Sequence, residues 1–401
     1  MNARKWWCVS RASVAWVVVM SALFGGCGGP SLAPMTDTPG EAVAGLTDAE
    51  RGRFLLGRAL FERLATPHEG LGPLFNGERC STCHDQPTTG GAGTAVRVLK
   101  ATGMVNGRCT LLEAKGGDNI QLRATPLLIA EGLGPEEVPA EATATALVTS
   151  PPLYGLGLLE AVPSTELERH SDPEDADGDG ISGRLARFAD GRAAPFGRKG
   201  DAATVGDFVE SALRFELGFT TEDHPLEELR NGVAVPQAAD PAADPEMDAE
   251  TMGILTDYIR LLAPPAPEAP ASAEAADSIH RGEDLFQEVG CARCHVPSLI
   301  TGSAPESALT AKRIQAYSDL LVHDIGGATG DVCTPQAGPG EYRTTPLWGL
   351  RYRSIFLHDG SAYTLQAAIE AHLGEAEAVT RAFHDLEPDD RALLLRFLSH
   401  L

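Results

Sequence analysis

The chain has 401 residues, 43 % of them apolar, and 56 acidic side chains against 32 basic ones, for a net charge of −24. This excludes a disordered chain, and it excludes duplex nucleic acid as a partner, because such a surface repels it. The length exceeds one ordinary core, so roughly two to three domains are expected.

Arg4, Lys5 and Arg11 precede an apolar run, ASVAWVVVMSALFGG, of about fifteen residues, which is signal-peptide length rather than a membrane span. It ends on Leu23-Phe24-Gly25-Gly26-Cys27, a lipobox-like end in which Phe24 replaces the preferred Leu. The expectation is a signal peptide over 1–27 and a lipid anchor on Cys27. The alternative is simple cleavage and release. Either way the product is exported: periplasmic, or an outer-membrane lipoprotein facing the periplasm. Residues 28–45, rich in Gly, Pro, Ser and Ala, read as a flexible tether.

The remainder is built twice. GRALFERL (57–64) and GEDLFQEV (282–289) share Gly-x-x-Leu-Phe within helical patterns. Thr47 and Glu50 stand as a capping box before the first, and Phe54, Leu55, Leu60, Phe61 and Leu64 recur at helical spacing. Each half closes on an amphipathic stretch, DAETMGILTDYIRLLA and DDRALLLRFLSHL. The expected fold class is therefore mainly α: two helical domains with long loops and a large insertion in the first. The expected bounds are 46–263 and 278–401, joined by a Pro/Ala-rich linker over 264–277.

A Cys-x-x-Cys-His motif follows each repeat: Cys80, Cys83 and His84, then Cys291, Cys294 and His295. The spacing suits c-type haem attachment, in which two thiols add to the porphyrin vinyl groups and the histidine ligates iron. A redox dithiol does not need the histidine twice, and zinc would need further close ligands. Each helical domain is then expected to be cytochrome-c-like, around a covalent haem. No Met follows residue 252, so the second iron takes a sixth ligand other than Met, or none. Of eight cysteines, Cys109 and Cys333 remain once the signal peptide, anchor and motifs are assigned. They form either one disulfide tying the halves together or two buried thiols. In DADGDGISG, Asp175, Asp177 and Asp179 alternate before Gly180, as in the first half of a calcium loop, but Ala186 replaces the closing Glu. Calcium is the expected ion.

Several stretches resemble the di-haem oxidoreductases also called thiol-oxidoreductase-like proteins, within the superfamily of bacterial di-haem cytochrome c peroxidases. They are GLGPLFNGERCSTCH (70–84), PPLYGLGLLEAVP (151–163), DADGDGISGR (175–184), APFGRKGDAATV (194–205), DLLVHDIGG (319–327) and EYRTTPLWGLRYRSIFLHDGSAYTLQAAIEAHLGEA (341–376). The resemblance implies that the C-terminal haem takes its sixth ligand from the helix after a His-x-Gly turn, here His358-Asp359-Gly360, and His372 stands at that position. His358 and His323 are the weaker alternatives.

The N-terminal haem would then bind peroxide, with an acid on its distal side. Glu160, isolated in an apolar run, is the candidate, and His68, Met104 and His170 are further distal candidates. The resemblance also leaves Arg343 to pair a haem propionate and Trp348 to lie between the haems or simply to pack. Arg198 and Lys199 replace a more apolar, Trp-containing stretch usual in the family. The implied activity is reduction of hydrogen peroxide, with electrons passed from the C-terminal to the N-terminal haem. The donor would be periplasmic, such as a small cytochrome or cupredoxin. The alternatives are a non-catalytic, lipid-anchored electron carrier and a di-haem oxidase acting on another protein.

Overall fold

The computed structural model describes residues 29–93, 97–327 and 331–401. The signal peptide and Cys27 lie outside these residues. Two helix pairs frame the molecule. Helix α1 (Asp48–Glu62) begins on the expected capping box: Thr47 Oγ1 accepts from the Glu50 N–H, and the Glu50 carboxylate accepts from the Thr47 N–H at 2.7 Å. After the short helix α2 (Val205–Ala212), helix α3 (Ala249–Arg260) packs across α1. Helix α4 (Ala273–Val289) packs across the last helix in the same way. Between them lie α5 (Leu365–Glu370) and α6 (Glu377–Asp385), and α7 (Pro388–His400) ends the chain.

The repeated Gly explains both crossings. A Cβ on Gly57 would lie 2.4 Å from Ile254 O, and one on Gly282 would lie 2.3 Å from Leu393 O. Only glycine lets the backbones approach so closely. The Phe that follows each glycine, Phe61 or Phe286, is fully buried against the histidine of its own motif. Burying one such ring contributes roughly 1.5–3 kcal/mol.

The protein is not mainly α, contrary to expectation: 34 % is helix and 15 % strand. The difference lies in the long first half. Strand β1 (Arg97–Val105) pairs antiparallel with β2 (Arg108–Thr110), β3 (Asn119–Ile120) and β4 (Ala144–Thr149). RVLKATGMV and ATALVT are short and rich in β-branched residues, which favours strands, and ATALVT alternates in burial. Reading this stretch as helix-wrapping loop overlooked that composition. In the second half β5 (Val322–Asp324) pairs with β6 (Glu341–Arg343).

The proposed tether is not free. Ser31–Leu32 pairs in parallel with Lys312–Arg313, and Val43, fully buried, hydrogen-bonds Leu261 O. Nor is the first core confined to one half: Leu299, Ile314, Leu321 and Trp348 join Phe54, Phe61, Leu158 and Tyr258 in it. Cys109 and Cys333 form a disulfide, which joins the sheet to the segment before β6.

Candidate active site

Two cavities lie against the two Cys-x-x-Cys-His motifs. The N-terminal one, about 280 Å³, is lined by Cys80, Cys83 and His84. The C-terminal one, about 210 Å³, is lined by Cys291, Cys294, His295 and His372. They share a wall of Arg198, Tyr342, Arg343, Thr345 and His358.

Each motif histidine is fixed through Nδ1. His84 Nδ1 lies 3.2 Å from Gly91 O, and His295 Nδ1 lies 2.8 Å from Tyr317 O. A carbonyl partner requires the proton on Nδ1, so Nε2 is left as a lone pair for a metal. The two carbonyls are presented differently. Gly91 sits in a turn so tight that a Cβ would lie 1.9 Å from Gln86 O. Tyr317 instead holds a left-handed backbone, φ 49°, an unfavourable conformation for an aromatic residue and typical of functional sites. Burial pulls both imidazoles down to about 4, so they are neutral and able to ligate at physiological pH.

His372 completes a facing pair. Its Nδ1 lies 2.7 Å from Ala368 O, and burial lowers its pKa as well. Among the described residues, the C-terminal cavity thus holds two such imidazoles whose Nε2 has no hydrogen-bond partner, His295 and His372, and the N-terminal cavity holds one, His84. His358 lines both cavities but is committed elsewhere. Tyr342 donates its hydroxyl proton to Asp331, so His358 Nε2, 2.8 Å away, must donate to Tyr342. His323 is held between Asp319 (2.9 Å) and Glu375 (3.2 Å). Burial alone would lower its pKa, but bonds to Asp319, Cys294 and Glu375 push it up to about 12.

The thiols are not those of a redox dithiol. Burial pushes Cys80 and Cys291 up to about 12 and Cys83 up to about 11, whereas reactive dithiols have depressed values. The shared wall carries cations without enough anions. Burial lowers Arg198 to about 9, helped by Arg353 and Arg343, and lowers Arg343 to about 10. Arg353 lines the C-terminal cavity, and its Nε is buried with no partner among the described residues. Such a cluster fits an anionic group such as a haem propionate. With the apolar linings and the free Nε2 atoms, the residues of each cavity fit a haem.

The chain belongs to the family described as "Di-haem oxidoreductase, putative peroxidase", whose model matches residues 143–401. It is accordingly an oxidoreductase that uses two haems. No curated protein matches it. Among solved structures it is similar to a hydrazine synthase of Kuenenia stuttgartiensis, at 16 % identity and TM-score 0.41, over 96 % of this chain and 100 % of the other. It is also similar to a MauG-like protein associated with microbial copper homeostasis, at 15 % identity and TM-score 0.39, over 96 % and 95 %. A third is the dihaem peroxidase BthA of Burkholderia thailandensis, at 14 % identity and TM-score 0.40, over 93 % and 94 %. At these TM-scores the membership rests on the family model alone.

The other expected residues fall in varied places. Arg343 lines both cavities, and Trp348 lines the N-terminal one, its ring pressed on Gly155. Glu160 does not line the N-terminal cavity. Its carboxylate accepts from the Val205 N–H at 2.8 Å and pairs with Arg260 at 2.5 Å, and Arg260 also grips Glu306. It is a half-buried structural bridge, because isolation within an apolar run reports burial and not direction. His68 and His170 are exposed, and Met104 lies beside Cys333 Sγ; none of the three lines the cavity.

Among the ionisable groups that do line it are Lys100, Asp118, Asp201 and Glu216, with Asn119 beside them. Lys100 pairs with Asp118 at 2.8 Å, and Asn119 donates to Glu216 Oε1 at 2.5 Å. Glu216 Oε2 is buried and has no partner among the described residues. Burial raises both Glu216 and Asp201, and Asp118 adds to the effect. Glu216 sits on a π-type turn, Leu213–Leu217, that widens the end of α2, a distortion common at functional sites. The one sequence signal for it was an acid inside the apolar run ALRFELGF.

Of the calcium-loop acids, Asp175 and Asp177 group with Asp172 and not with Asp179. Asp179 instead accepts from the Ile181 N–H, and its carboxylate faces Arg293 of the second motif at 3.6 Å.

Proposed function

We propose that this di-haem oxidoreductase is an exported peroxidase, with hydrogen peroxide reacting in the N-terminal cavity and electrons entering through the C-terminal one. The observation that carries the reading is the unequal number of imidazoles with free Nε2: two in the C-terminal cavity, one in the N-terminal. His295 and His372 would together hold the C-terminal haem iron, whereas His84 alone would hold the N-terminal one and leave it able to react with a small oxidant. The four motif cysteines would form the thioether links. When bound, the haems supply the iron redox chemistry that takes hydrogen peroxide, two protons and two electrons to two molecules of water.

The chain's own residues supply the rest. Gly91 and Tyr317 orient the proximal imidazoles. Arg198 and Arg343 hold anionic substituents at the wall between the cavities. Glu216, rather than Glu160, is the proton carrier: its pKa is raised and its free carboxyl oxygen is shut from solvent. Asn119 holds it in place. The electron donor is a periplasmic carrier, drawn to a surface of charge −24 if it is basic. The lipid anchor on Cys27 would keep the protein at the membrane. A calcium ion on the loop around Asp175 and Asp177 would stiffen a segment that reaches the second motif through Asp179 and Arg293.

The test is steady-state peroxide turnover with a reduced donor. Glu216→Gln should cut turnover by roughly 10²- to 10⁴-fold and flatten its acid limb while leaving both haem spectra unchanged. Glu160→Gln should leave turnover of the folded protein near wild type. Full turnover in Glu216→Gln would remove Glu216 from the role, and no turnover in wild type would leave an electron carrier.

A further inference from the structure

Between the Glu216 turn and α3 lie four carboxylates that the haem sites do not use. Glu227, Asp240, Asp244 and Glu246 each bring a carboxylate oxygen within 4.8 Å of the others. Three of them come from one loop, DPAADPE (240–246), where Pro241 and Pro245 restrict the backbone. Glu227 comes from the preceding segment. Among the described residues no Lys, Arg or His pairs with any of the four; Arg214 pairs with Glu228 instead.

The group is short of hydrogen-bond donors. Asp240 is only 5 % exposed, and the side-chain bond that reaches it, from Gln237 Nε2, ends on its main-chain carbonyl and not on its carboxylate. Glu227 Oε1 and Glu246 Oε1 are shut from solvent with no partner among the described residues. Thr220 Oγ1 lies 2.7 Å from Asp244 Oδ1 and also against Glu246 Oε2. A hydroxyl has one proton and serves only one of them. The Thr220 N–H, 2.7 Å from Glu246 Oε2, and the Ala242 N–H, on Asp240, are the main-chain donors. Carboxyl oxygens shut from solvent without donors or counter-charges are costly, and a cation removes that cost.

We propose that Glu227, Asp240, Asp244 and Glu246 form a calcium site. The donors are all hard oxygens, with neither nitrogen nor sulfur for a softer metal. Carboxylates that bind through one or both oxygens, with water entering at the exposed Asp244, reach the roughly six to eight ligands calcium takes, whereas magnesium demands stricter octahedral geometry. The Asp172, Asp175 and Asp177 group contrasts with this one. There each carboxylate already accepts a main-chain N–H of its own loop, from Asp177, Gly180 and Asp179 respectively. An ion at the four-carboxylate site would tie Thr220 and Thr221 to the strip that pairs Thr221 with Met247, immediately after the turn that carries Glu216.

The test uses the haem-loaded protein, freed of metal by a chelator and titrated with calcium by calorimetry and thermal unfolding. Calcium should bind and raise the melting temperature, and magnesium at the same concentration should do so far less. Glu227→Gln/Asp240→Asn should abolish the response of this site, and Asp172→Asn/Asp175→Asn/Asp177→Asn should keep it. If the double variant fails to fold, Asp244→Asn, at the exposed edge, should weaken calcium binding at least about tenfold. Terbium placed at these carboxylates by anomalous scattering in wild-type crystals would support the site independently. The proposal is overturned if wild type shows no calcium response. It is equally overturned if Glu227→Gln/Asp240→Asn binds as many calcium ions as wild type, if Asp244→Asn leaves the affinity of this site unchanged, or if this site's binding disappears with the Asp172 triple change. Each readout is metal binding and not turnover, so failure here leaves the peroxidase reading untouched, and the reverse holds.

Discussion

The two halves solve the same local problem with the same parts and then diverge. In both, a glycine admits a crossing helix, a phenylalanine four residues on packs against the motif histidine, and a main-chain carbonyl fixes Nδ1. What faces that histidine differs. The C-terminal cavity offers a second imidazole on an α5-linked turn, and the N-terminal cavity offers Lys100, Asp118, Asp201 and Glu216. The repeat therefore builds a holder for the cofactor, and the inserted segments decide whether that holder conducts or reacts. The N-terminal polar wall comes largely from β1, β3 and the π-type turn after α2.

The largest expected effect would abolish that contrast. His372→Ala leaves the C-terminal cavity with one free imidazole, so its iron should change from low spin to high spin and electron delivery should fall by orders of magnitude. The magnetic signature of the His84 site should stay as it is. A low-spin C-terminal iron in the variant would mean that another residue is the ligand.

The disulfide distinguishes the halves less sharply. Val332, Cys333 and Thr334 line the N-terminal cavity only. Cys109→Ser/Cys333→Ser should cost about 2–5 kcal/mol in denaturant unfolding. It should perturb the optical spectrum of the N-terminal site and spare the C-terminal one.

The shared helix crossing should respond equally in both halves. Gly57→Ala and Gly282→Ala each push a methyl into a carbonyl, and each should cost roughly 1–3 kcal/mol. A null effect at either position would show that the crossing relaxes there.

The smallest effect is one of pH and is confined to the second half. Burial opposes ionisation of Glu375, but bonds from His323, Ser182 and Asp324 outweigh it and pull its carboxyl down to about 2. Its stabilisation is therefore present above the ordinary value near 4.5 and is lost as pH falls from there towards 2. His323, raised to about 12, contributes below its ordinary value near 6.5, and that contribution is lost only as pH climbs towards 12. Acid titration of stability should be shallower in Glu375→Gln below pH 4.5, with no change near neutrality.

The motifs, the repeat, the capping box and the Cys-pair arithmetic were legible in the sequence because each is a local spacing rule. His372 was legible through resemblance, since its position depends on a turn and a helix that the motif order preserves. The sheet was missed because its strands lie in a long stretch read only for helical period. Glu160 and Glu216 are both acids in apolar runs, and only the fold shows that Glu160 meets Arg260 while Glu216 reaches the cavity with an oxygen that has no partner among the described residues. Asp172 stands outside the alternating acids of the loop, and alternation does not show which carboxylates turn inward.

The central claim is that one iron is closed and the other open to peroxide. Electron paramagnetic resonance of the purified haem protein, taken from fully oxidised to half-reduced and then given peroxide, tests it most directly. The account predicts one low-spin signal from the His295/His372 site that peroxide leaves in place, and a high-spin signal from the His84 site that peroxide removes. Two low-spin signals unaffected by peroxide at every stage would contradict it.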